Sequence, residues 1–507
     1  MRAHRPQPLA RALSALRHLA RPLLLAPLAL LLTLPLARSA GADEAAWRSS
    51  PPAPLAPRPF QLPEAARGQL SNGVEVWVVE NHEVPITFVA LNLKTGAWAD
   101  PADRPGLASM TLAMLTEGAA GQDNAAFARR MKAIGGEAWS GAGIDTSQLG
   151  VSALRRNLPA ALDAMADMVL RPDFPAEAWA VQQKSSVQNV KAARQDPGAI
   201  AGRVMGVQLY GPQYAGRLSQ EAAYEAMSPA DLKAFWASEA RPDEAVILVG
   251  GDTTLAEVLP LLEARLGAWK GAGAAPARPA PQAAALPKHP KTTIFLADRP
   301  GATQSTVRVS RFVGDRLAAD ATALELANEA LGGAFTSRVN MNLREAKGWT
   351  YGARSSIGYT QLPGTWSAGG NFVRDHTADA IAELLRELRE VRGPRPLTAD
   401  ELANAKGGLL GGWPLPFEQP GHLLGELAST WRYSLPADHL RTWPERMRAV
   451  TPEAANAAVQ QNLVDEGLVI VVVGDATVIR PSLDKLGLPI VPVDTDGAPL
   501  AAAAPGR

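Results

Sequence analysis

The chain has 507 residues, of which 47% are apolar and 20% charged, with 50 basic side chains, 50 acidic side chains and no cysteine. This length exceeds one ordinary hydrophobic core and favours two domains of about 200 residues each. The composition excludes an intrinsically disordered chain. The lack of cysteine excludes disulfides, thiolate metal sites and thiol catalysis.

Residues 1–42 have the pattern of a signal peptide. They contain six arginines, no acidic residue precedes Asp43, and the apolar run LLLAPLALLLTLPL covers residues 23–36. A membrane-spanning helix needs about 20 apolar residues, so this short run, interrupted by proline, favours a cleaved signal over the alternative, an uncleaved anchor. Cleavage near Ala40 or Ala42 would leave 44 basic and 50 acidic residues, a net charge of −6. We therefore expect an exported protein with no integral span, which at this charge is a poor candidate for binding nucleic acid.

A flexible leader rich in alanine and proline is predicted for residues 43–62, followed by a first domain over residues 63–270. Asn72-Gly73 is a strong turn signal, and the alternation of Val74, Val76 and Val78 after it predicts a hairpin. The pattern further predicts strands over 86–93 and 147–154, and helices over 107–117 and 124–134 and from about 158 and 175. This mixture is typical of an α+β domain.

A linker rich in proline and alanine is predicted for residues 271–290, a second domain for 291–486 and a loose tail for 487–507. The second domain repeats the first, because residues 228–252 and 451–475 share one pattern over the same length. Each segment reads Ser/Thr-Pro, an amphipathic helix, a polar turn, a β-branched run and Gly-Asp. A repeated unit of this length predicts two similar domains rather than a short-period solenoid.

Four segments carry a resemblance to a known family: SNGVEVWVVENHEVP, DRPGLASMTLAML, DTSQLGVSALRRNLPAALDAMADMVLRPDF and LGGAFTSRVNMNLREAKGWTYGARSS. They resemble the insulinase/pitrilysin family of metallopeptidases, in particular its branch with mitochondrial processing peptidase and two-chain bacterial relatives. The resemblance implies two homologous α+β domains, each a mainly antiparallel sheet packed with helices, joined by a linker into a clamshell that closes on an extended peptide.

Catalysis in the resembled family depends on an HxxEH helix, in which two histidines on one helix face bind zinc and the glutamate polarises the zinc-bound water. In this chain Ser109 stands at the position of the first histidine, Leu112 at that of the glutamate and Ala113 at that of the second histidine. The family's further glutamate ligand would fall near Asn189 and Val190. We therefore expect that this chain binds no metal and no other cofactor by itself, and that zinc belongs to a partner subunit.

The segment LREAKGWTY places Arg344 and Tyr351 at a helix end and a strand start, separated by a Lys347-Gly348 turn. In the resembled family this Arg and Tyr face the peptide held beside the zinc. A guanidinium and a phenol both suit a peptide carbonyl or a developing oxyanion. The resemblance therefore implies a role for Arg344 and Tyr351 in substrate binding and transition-state support, against the alternative of a solvated Arg and a strand Tyr.

Two weaker features leave alternatives open. Gly332 and Gly333 follow a predicted helix and fit either a plain glycine cap or a short counterpart of the glycine-rich substrate loop of the processing-peptidase α subunit. Trp139 lies on the strand where the family's substrate pairs by β-augmentation, at a position where active members usually carry Asn. A packed Trp is the favoured interpretation there.

These features predict a non-catalytic subunit of a heteromeric zinc metalloendopeptidase in the bacterial periplasm. A homologous partner with an intact HxxEH helix would supply the zinc, and the substrate would be a peptide or unfolded protein. The alternative is a non-enzymatic protein that binds peptides or acts as a scaffold. An enzyme with an unrelated site finds no support, because no Ser/His/Asp order or carboxylate pair stands out in a recognisable context.

Overall fold

The computed structural model describes residues 60–271 and 281–500, and these form two halves of similar construction. The predicted signal peptide, most of the predicted leader, residues 272–280 of the predicted linker and residues 501–507 lie outside the described residues. The first half comprises β1 (Ala66–Gln69), β2 (Glu75–Glu80), β3 (Ile86–Leu93), α1 (Leu107–Met114), β4 (Gly118–Ala119), β5 (Gln122–Asp123), α2 (Asn124–Ala133), β6 (Glu137–Ala142), β7 (Ser147–Leu154), α3 (Leu158–Leu170), α4 (Ala176–Ala193), α5 (Pro197–Tyr210), α6 (Glu221–Ala226), α7 (Pro229–Glu239), β8 (Ala245–Gly251) and α8 (Leu255–Leu266).

The second half repeats this alternation of strands and helices and includes two π-helical turns, Glu329–Gly333 and Met341–Ala346. Its regular elements are β9 (Thr293–Asp298), β10 (Gln304–Phe312), α9 (Ala321–Asn328), α10 (Arg338–Asn340), β11 (Thr350–Gly358), β12 (Thr365–Val373), α11 (Thr377–Arg392), α12 (Ala399–Gly412), α13 (Pro420–Arg432), α14 (His439–Ala449), α15 (Pro452–Asn462), β13 (Val469–Gly474), α16 (Ala476–Leu483) and β14 (Ile490–Val493).

Each half is built on a six-stranded sheet, and the two sheets share the same topology over five of their strands. The orders are β1-β2-β8-β3-β7-β6 and β14-β9-β13-β10-β12-β11. Most neighbouring strands are antiparallel, and the parallel pairs are β2 with β8, β9 with β13 and β9 with β14. The α+β fold with two sheet-bearing domains is therefore confirmed, and the edge strands β6 and β11 occupy corresponding places.

The outermost strand at the opposite edge has a different origin in the two halves. The first sheet takes β1 from the start of its domain, whereas the second takes β14 from the end of the chain. The prediction of a loose tail from residue 487 is therefore wrong for residues 487–500. Ile490–Val493 pair in parallel with β9, and this pairing satisfies their backbone hydrogen bonds.

The repeated sequence units form corresponding helix–strand pairs. Ser228 accepts a hydrogen bond from the Asp231 amide at the start of α7, and Thr451 accepts one from the Ala454 amide at the start of α15. Each helix leads into a central strand, β8 or β13, whose residues are all buried. The β-branched runs therefore lie where a sheet is covered on both faces, as their composition predicts.

Each half contributes one helix that packs on the sheet of the other half. From the first half, α5 packs Ile200 and Val204 against Phe295 and Val471 of the second sheet. From the second half, α13 packs Leu424 and Trp431 against a set of residues on the first sheet, namely Trp77, Val246 and Leu248. Because each sheet is covered on one face by a helix of the other half, burial of apolar surface holds the halves together. None of the helices within residues 60–271 and 281–500 is long and apolar enough to cross a membrane.

Candidate functional site

The helix α1 carries the three positions at which the resembled family has its zinc motif. The first turn of α1 is capped by a residue outside the helix. The buried Asp100 carboxylate accepts hydrogen bonds from the amides of Gly106 at 2.6 Å and Ala108 at 2.7 Å. Gly106 has φ +99°, and a Cβ there would lie 2.6 Å from the Tyr224 hydroxyl. The positive φ and this close approach together favour glycine at this helix start.

The three motif positions of α1 differ in exposure. Ser109 is exposed and Ala113 is half-buried, whereas Leu112 is completely buried in the hydrophobic core of the first domain. The hydroxyl of Ser140 on β6 donates to the Leu112 carbonyl at 2.5 Å, which ties the helix to the edge strand. The helix α1 is thus packed into the first domain, and the leucine side chain occupies the position of the family's glutamate.

The second helix that the metal site would need, α4, lies beside α1. The hydroxyl of Ser186 lies 3.0 Å from the sulfur of Met110. One turn further along α4, Asn189 is exposed, while Val190 points into the core with 6% exposure. A serine hydroxyl, a leucine, an alanine and an asparagine amide do not make a donor set for Zn²⁺, which prefers imidazole, thiolate and carboxylate. Within the described ranges no three His, Asp or Glu side chains cluster as metal ligands.

The edge strand β6 presents Trp139 beside this helix. Trp139 is half-buried, and its ring covers Gly150 on β7, where a Cβ would lie 2.5 Å from the indole Cζ2. The glycine therefore makes room for the indole, which packs on the sheet as expected for this residue.

Arg344 and Tyr351 occupy the corresponding edge of the second domain. Arg344 lies in the π-helical turn Met341–Ala346, the chain reverses at Gly348 with φ +66°, and β11 begins at Thr350. The pairing of β11 with β12 is interrupted between Thr350 and Ala353. Tyr351 lies in this bulge, and its side chain is 92% exposed. Bulges are commonly used to redirect a side chain near a functional site.

The guanidinium of Arg344 stacks on an exposed aromatic ring. Its Cζ lies 4.5 Å from the ring centroid of Phe335, which is 51% exposed. Its Nη1 lies 3.2 Å from a Glu345 carboxylate oxygen, but this atom is buried and has no acceptor in hydrogen-bond geometry among the described residues. A buried donor without a well-aligned acceptor is costly, and the Arg344 side chain as a whole keeps 34% of its surface exposed.

Buried polar contacts hold the Arg344 segment in place. The Asn340 side chain donates to the Phe335 carbonyl at 2.7 Å and accepts the amide of Ala353 at 3.2 Å, across the bulge. Arg338 forms a two-pronged ion pair with Glu401 on α12, with distances of 2.5 and 2.6 Å. Burial alone would raise the pKa of Glu401, but the bonds from Arg338 and Thr398 lower it to about 2. These contacts fix the backbone from which Arg344 and Tyr351 project.

Gly332 and Gly333 do not form a loop. They end the π-helical turn Glu329–Gly333, in which the Ala334 amide donates to the Glu329 carbonyl at 2.9 Å. A Cβ on Gly332 would lie 2.2 Å from the Ser355 hydroxyl on β11. The substrate-loop interpretation is therefore wrong in its geometry. The pair ends a helix, as the cap interpretation expects, but Gly332 is needed for the close approach to β11 and not for a left-handed cap.

Comparison with known families now decides the relationship. Residues 75–206 match the model of the insulinase peptidase family M16, and residues 226–409 match that of the M16 inactive domain. The chain belongs to the insulinase family, peptidase family M16. Together with the replaced zinc-motif residues, the second match fits a non-catalytic, peptidase-related M16 member.

Several M16 proteins are similar over most of the chain. An uncharacterized zinc protease of Mycobacterium bovis is 23% identical over 75% of this chain and 84% of its own. An M16 inactive domain of Pseudomonas fluorescens is 26% identical and superposes with a TM-score of 0.74, covering 81% of this chain and 98% of that one. The periplasmic protease PqqL of Escherichia coli is 16% identical with a TM-score of 0.70, over 84% of this chain and 47% of that one. The last likeness shows the fold alone.

Phe335 and Arg338 contribute to this M16 site but are not singled out by sequence reasoning. The available signal for Phe335 was an aromatic residue directly after LGGA, in the segment that leads to Arg344. Arg338 could not be recognised, because its partner Glu401 lies 63 positions away and only the fold brings them together.

Proposed function

We propose that this M16 chain is the non-catalytic subunit of a heteromeric zinc metalloendopeptidase. A homologous partner carries HxxEH and the zinc, while Arg344 and Tyr351 bind the peptide and stabilise the transition state. The observation that carries the proposal is the Arg344 guanidinium, which stacks on exposed Phe335 and has a partly exposed side chain. The same segment carries the exposed Tyr351 phenol, in a domain whose companion has no histidine or glutamate at the zinc-motif positions.

The contrast between the two domains supports this division of labour. In the first domain, Leu112 is a buried core residue at the position of the family's glutamate. In the second, Asn340 and Arg338 hold the backbone of the segment from which Arg344 projects. Buried polar supports of this kind are typical of preorganised sites.

We further propose that the complex works in the periplasm. The predicted signal peptide supports this location, and a neighbour in fold, PqqL, is described as periplasmic. The substrate class that fits an M16 complex with an exposed sheet edge is an extended peptide or unfolded protein segment.

The test combines the purified chain with the HxxEH homologue of the same organism. We expect the chain alone to cleave no peptide, and the mixture to form a complex with a strongly raised rate of peptide hydrolysis. Arg344→Ala and Tyr351→Phe should each lower kcat by about 10²-fold, the size of effect expected for one oxyanion donor. Arg389→Ala, at an exposed arginine on α11, is the matched control and should leave kcat unchanged.

Size-exclusion chromatography separates the possible outcomes. A complex that keeps full activity with Arg344→Ala contradicts the assigned role. Binding of peptides by the chain without any partner or cleavage would instead support the alternative, a peptide-binding or scaffold protein.

A further inference from the structure

The second domain contains a cavity of about 490 Å³ that the proposed peptidase role does not use. It lies between α9, the edge strand β11 and the helices α12 and α14. Aromatic and aliphatic side chains form part of its wall, including Trp413, Trp443 and Leu409. Its ionisable lining residues are Arg316, Glu325, Glu329, Glu426, His439 and Arg446.

The cavity is the counterpart, in the second domain, of the space beside α1. As α1 packs against α7, α4 and the edge strand β6, α9 packs against α15, α12 and the edge strand β11. The face of α9 toward the cavity carries Glu325, Asn328 and Glu329. Thus the helix that corresponds to the degenerate zinc helix has kept polar side chains toward its cavity.

Two guanidinium groups line the cavity without a carboxylate partner. Arg316 stacks between the rings of Tyr359 and Tyr433, 5.3 Å from each centroid, and within the described part of the chain it makes no hydrogen bond or ion pair. Arg446 donates to the Thr442 hydroxyl at 2.6 Å and approaches the His439 ring at 3.4 Å. Unpaired, partly buried guanidinium groups are natural partners for a carboxylate ligand.

Two carboxylates face the same space. Glu325 accepts a hydrogen bond from the Trp443 indole at 3.0 Å, which leaves its other oxygen for a ligand. Among the described residues no donor reaches the Glu329 carboxylate, and Gly333 makes room for it, since a Cβ there would lie 2.3 Å from Oε2. Burial raises the pKa of both carboxyl groups, so each lacks the full stabilisation of its charge.

We propose that this cavity binds a free α-amino acid with an apolar side chain. Arg316 and Arg446 bind its carboxylate, Glu325 and Glu329 bind its ammonium group, and the side chain lies against Trp413 and Trp443. The two indoles stack with centroids 4.3 Å apart and offer a flat apolar wall. The mixture of charges excludes a phosphate, which the three carboxylates would repel, and no described His, Asp or Glu cluster fits a metal.

The test is isothermal titration of the full chain with L-leucine, L-phenylalanine and L-methionine. We expect saturable binding of at least one of them. N-acetylation removes the ammonium charge and amidation removes the carboxylate, so N-acetyl-leucine and leucinamide should each bind about tenfold more weakly than leucine, the value of one lost charge-assisted bond. The same comparison applies to whichever of the three binds best.

Substitutions of cavity residues then test where the ligand binds. Glu329→Gln and Arg316→Met should each weaken binding about tenfold. Glu445→Gln and Arg441→Met, at exposed positions of α14, are matched controls that should leave it unchanged. If a cavity variant fails to fold by circular dichroism, the comparison of free and blocked ligands on the unsubstituted chain still decides. No saturable binding, equal binding of blocked forms, or equal effects of cavity and control variants would each overturn the proposal.

Discussion

The buried carboxylate of Asp145 accepts a hydrogen bond from the phenol of Tyr433, 2.8 Å away in the other half of the molecule. Asp145 lies in the turn between β6 and β7, and it also accepts the Tyr214 phenol and the amide of Gln361, which lies in the turn between β11 and β12. Burial raises the pKa of both phenols, so they remain protonated donors. One carboxylate thus joins the turns that follow the two edge strands β6 and β11.

Asp145→Asn should destabilise the protein more than its small change in shape suggests. The amide group replaces one carboxylate oxygen by a donor, so at least one of the three donors loses its acceptor. We therefore expect a loss of about 3 kcal/mol in the free energy of unfolding in urea. The matched control is Asp163→Asn, whose carboxylate pairs with Arg265 on the exposed surface. Equal midpoints for the two variants would mean that the Asp145 contacts do not hold the halves together.

Restoring the zinc motif should fail because of one position. Ser109→His and Ala113→His change residues that are exposed or half-buried, and we expect both to fold. Leu112→Glu buries a carboxylate in a place with 0% exposure and should cost more than about 3 kcal/mol of stability. Thermal unfolding of the three single variants checks this order. A Leu112→Glu chain as stable as the two histidine variants would show that the helix can still turn this face outward.

The negative charge of Glu401 should stabilise the folded protein at neutral pH and lose this effect in strong acid. The pKa of this group is about 2 in the folded chain against 4.5 in its unfolded reference, so its contribution is complete above pH 4.5 and disappears as the pH falls through about 2. Glu401→Gln keeps the helix-capping geometry but loses the ion pair with Arg338. We expect it to cost about 2 kcal/mol at pH 7, after allowance for solvent screening, and much less near pH 3.

Urea unfolding at several pH values measures this difference. Glu418→Gln, at an exposed glutamate with no ion pair among the described residues, should show no such dependence on pH. A constant loss for Glu401→Gln from pH 7 to pH 3 would exclude the ion pair as its cause.

The two neighbouring glycines 332 and 333 should respond differently to alanine. At Gly332 the added Cβ would lie 2.8 Å from the backbone nitrogen of Ser355 in addition to its hydroxyl, and a strand backbone cannot move aside. At Gly333 the closest atom is the end of the flexible Glu329 side chain. We expect Gly332→Ala to cost about 2 kcal/mol or more, and Gly333→Ala to be close to neutral because alanine also favours the helix. Similar melting temperatures for the two would contradict the packing against β11.

Local patterns predict much of this fold. The Asn72-Gly73 hairpin, the strands over 86–93 and 147–154 and the helix starting at Asn124 form as the sequence indicates, because turn chemistry and periodicity are local properties. The repeat of residues 228–252 likewise identifies the two domains. The exchange of α5 and α13 is not predictable from such patterns, since an apolar helix face does not show which sheet covers it. The sequence likewise predicts a tail at Ile490–Val493, because the strand that pairs with this segment lies almost 200 positions earlier in the chain.

The candidate site divides in the same way. Arg344, Tyr351 and the three replaced zinc positions are expected from the resemblance to the insulinase family. The cavity of the second domain does not, because its charged residues come from segments between Arg316 and Arg446 that only the packed helices bring together. A single glutamate or histidine in these segments reads as an ordinary surface residue.

His439 should make the protein less stable in mild acid. Burial, together with Arg446 and Arg316, lowers the pKa of this histidine from 6.5 to about 4, and only Asp438 opposes the shift. Below pH 6.5 the histidine is protonated in the unfolded chain, whereas in the folded chain it stays neutral down to about pH 4. Stability therefore falls across this window as the pH is lowered. After allowance for solvent screening we expect a loss of about 1–2 kcal/mol. His439→Gln should flatten this part of the profile of unfolding free energy against pH, whereas His422→Gln, at a partly exposed histidine on α13, should leave it as it is. If His439→Gln retains the full slope between pH 6.5 and pH 4, the histidine is not kept neutral by its cavity.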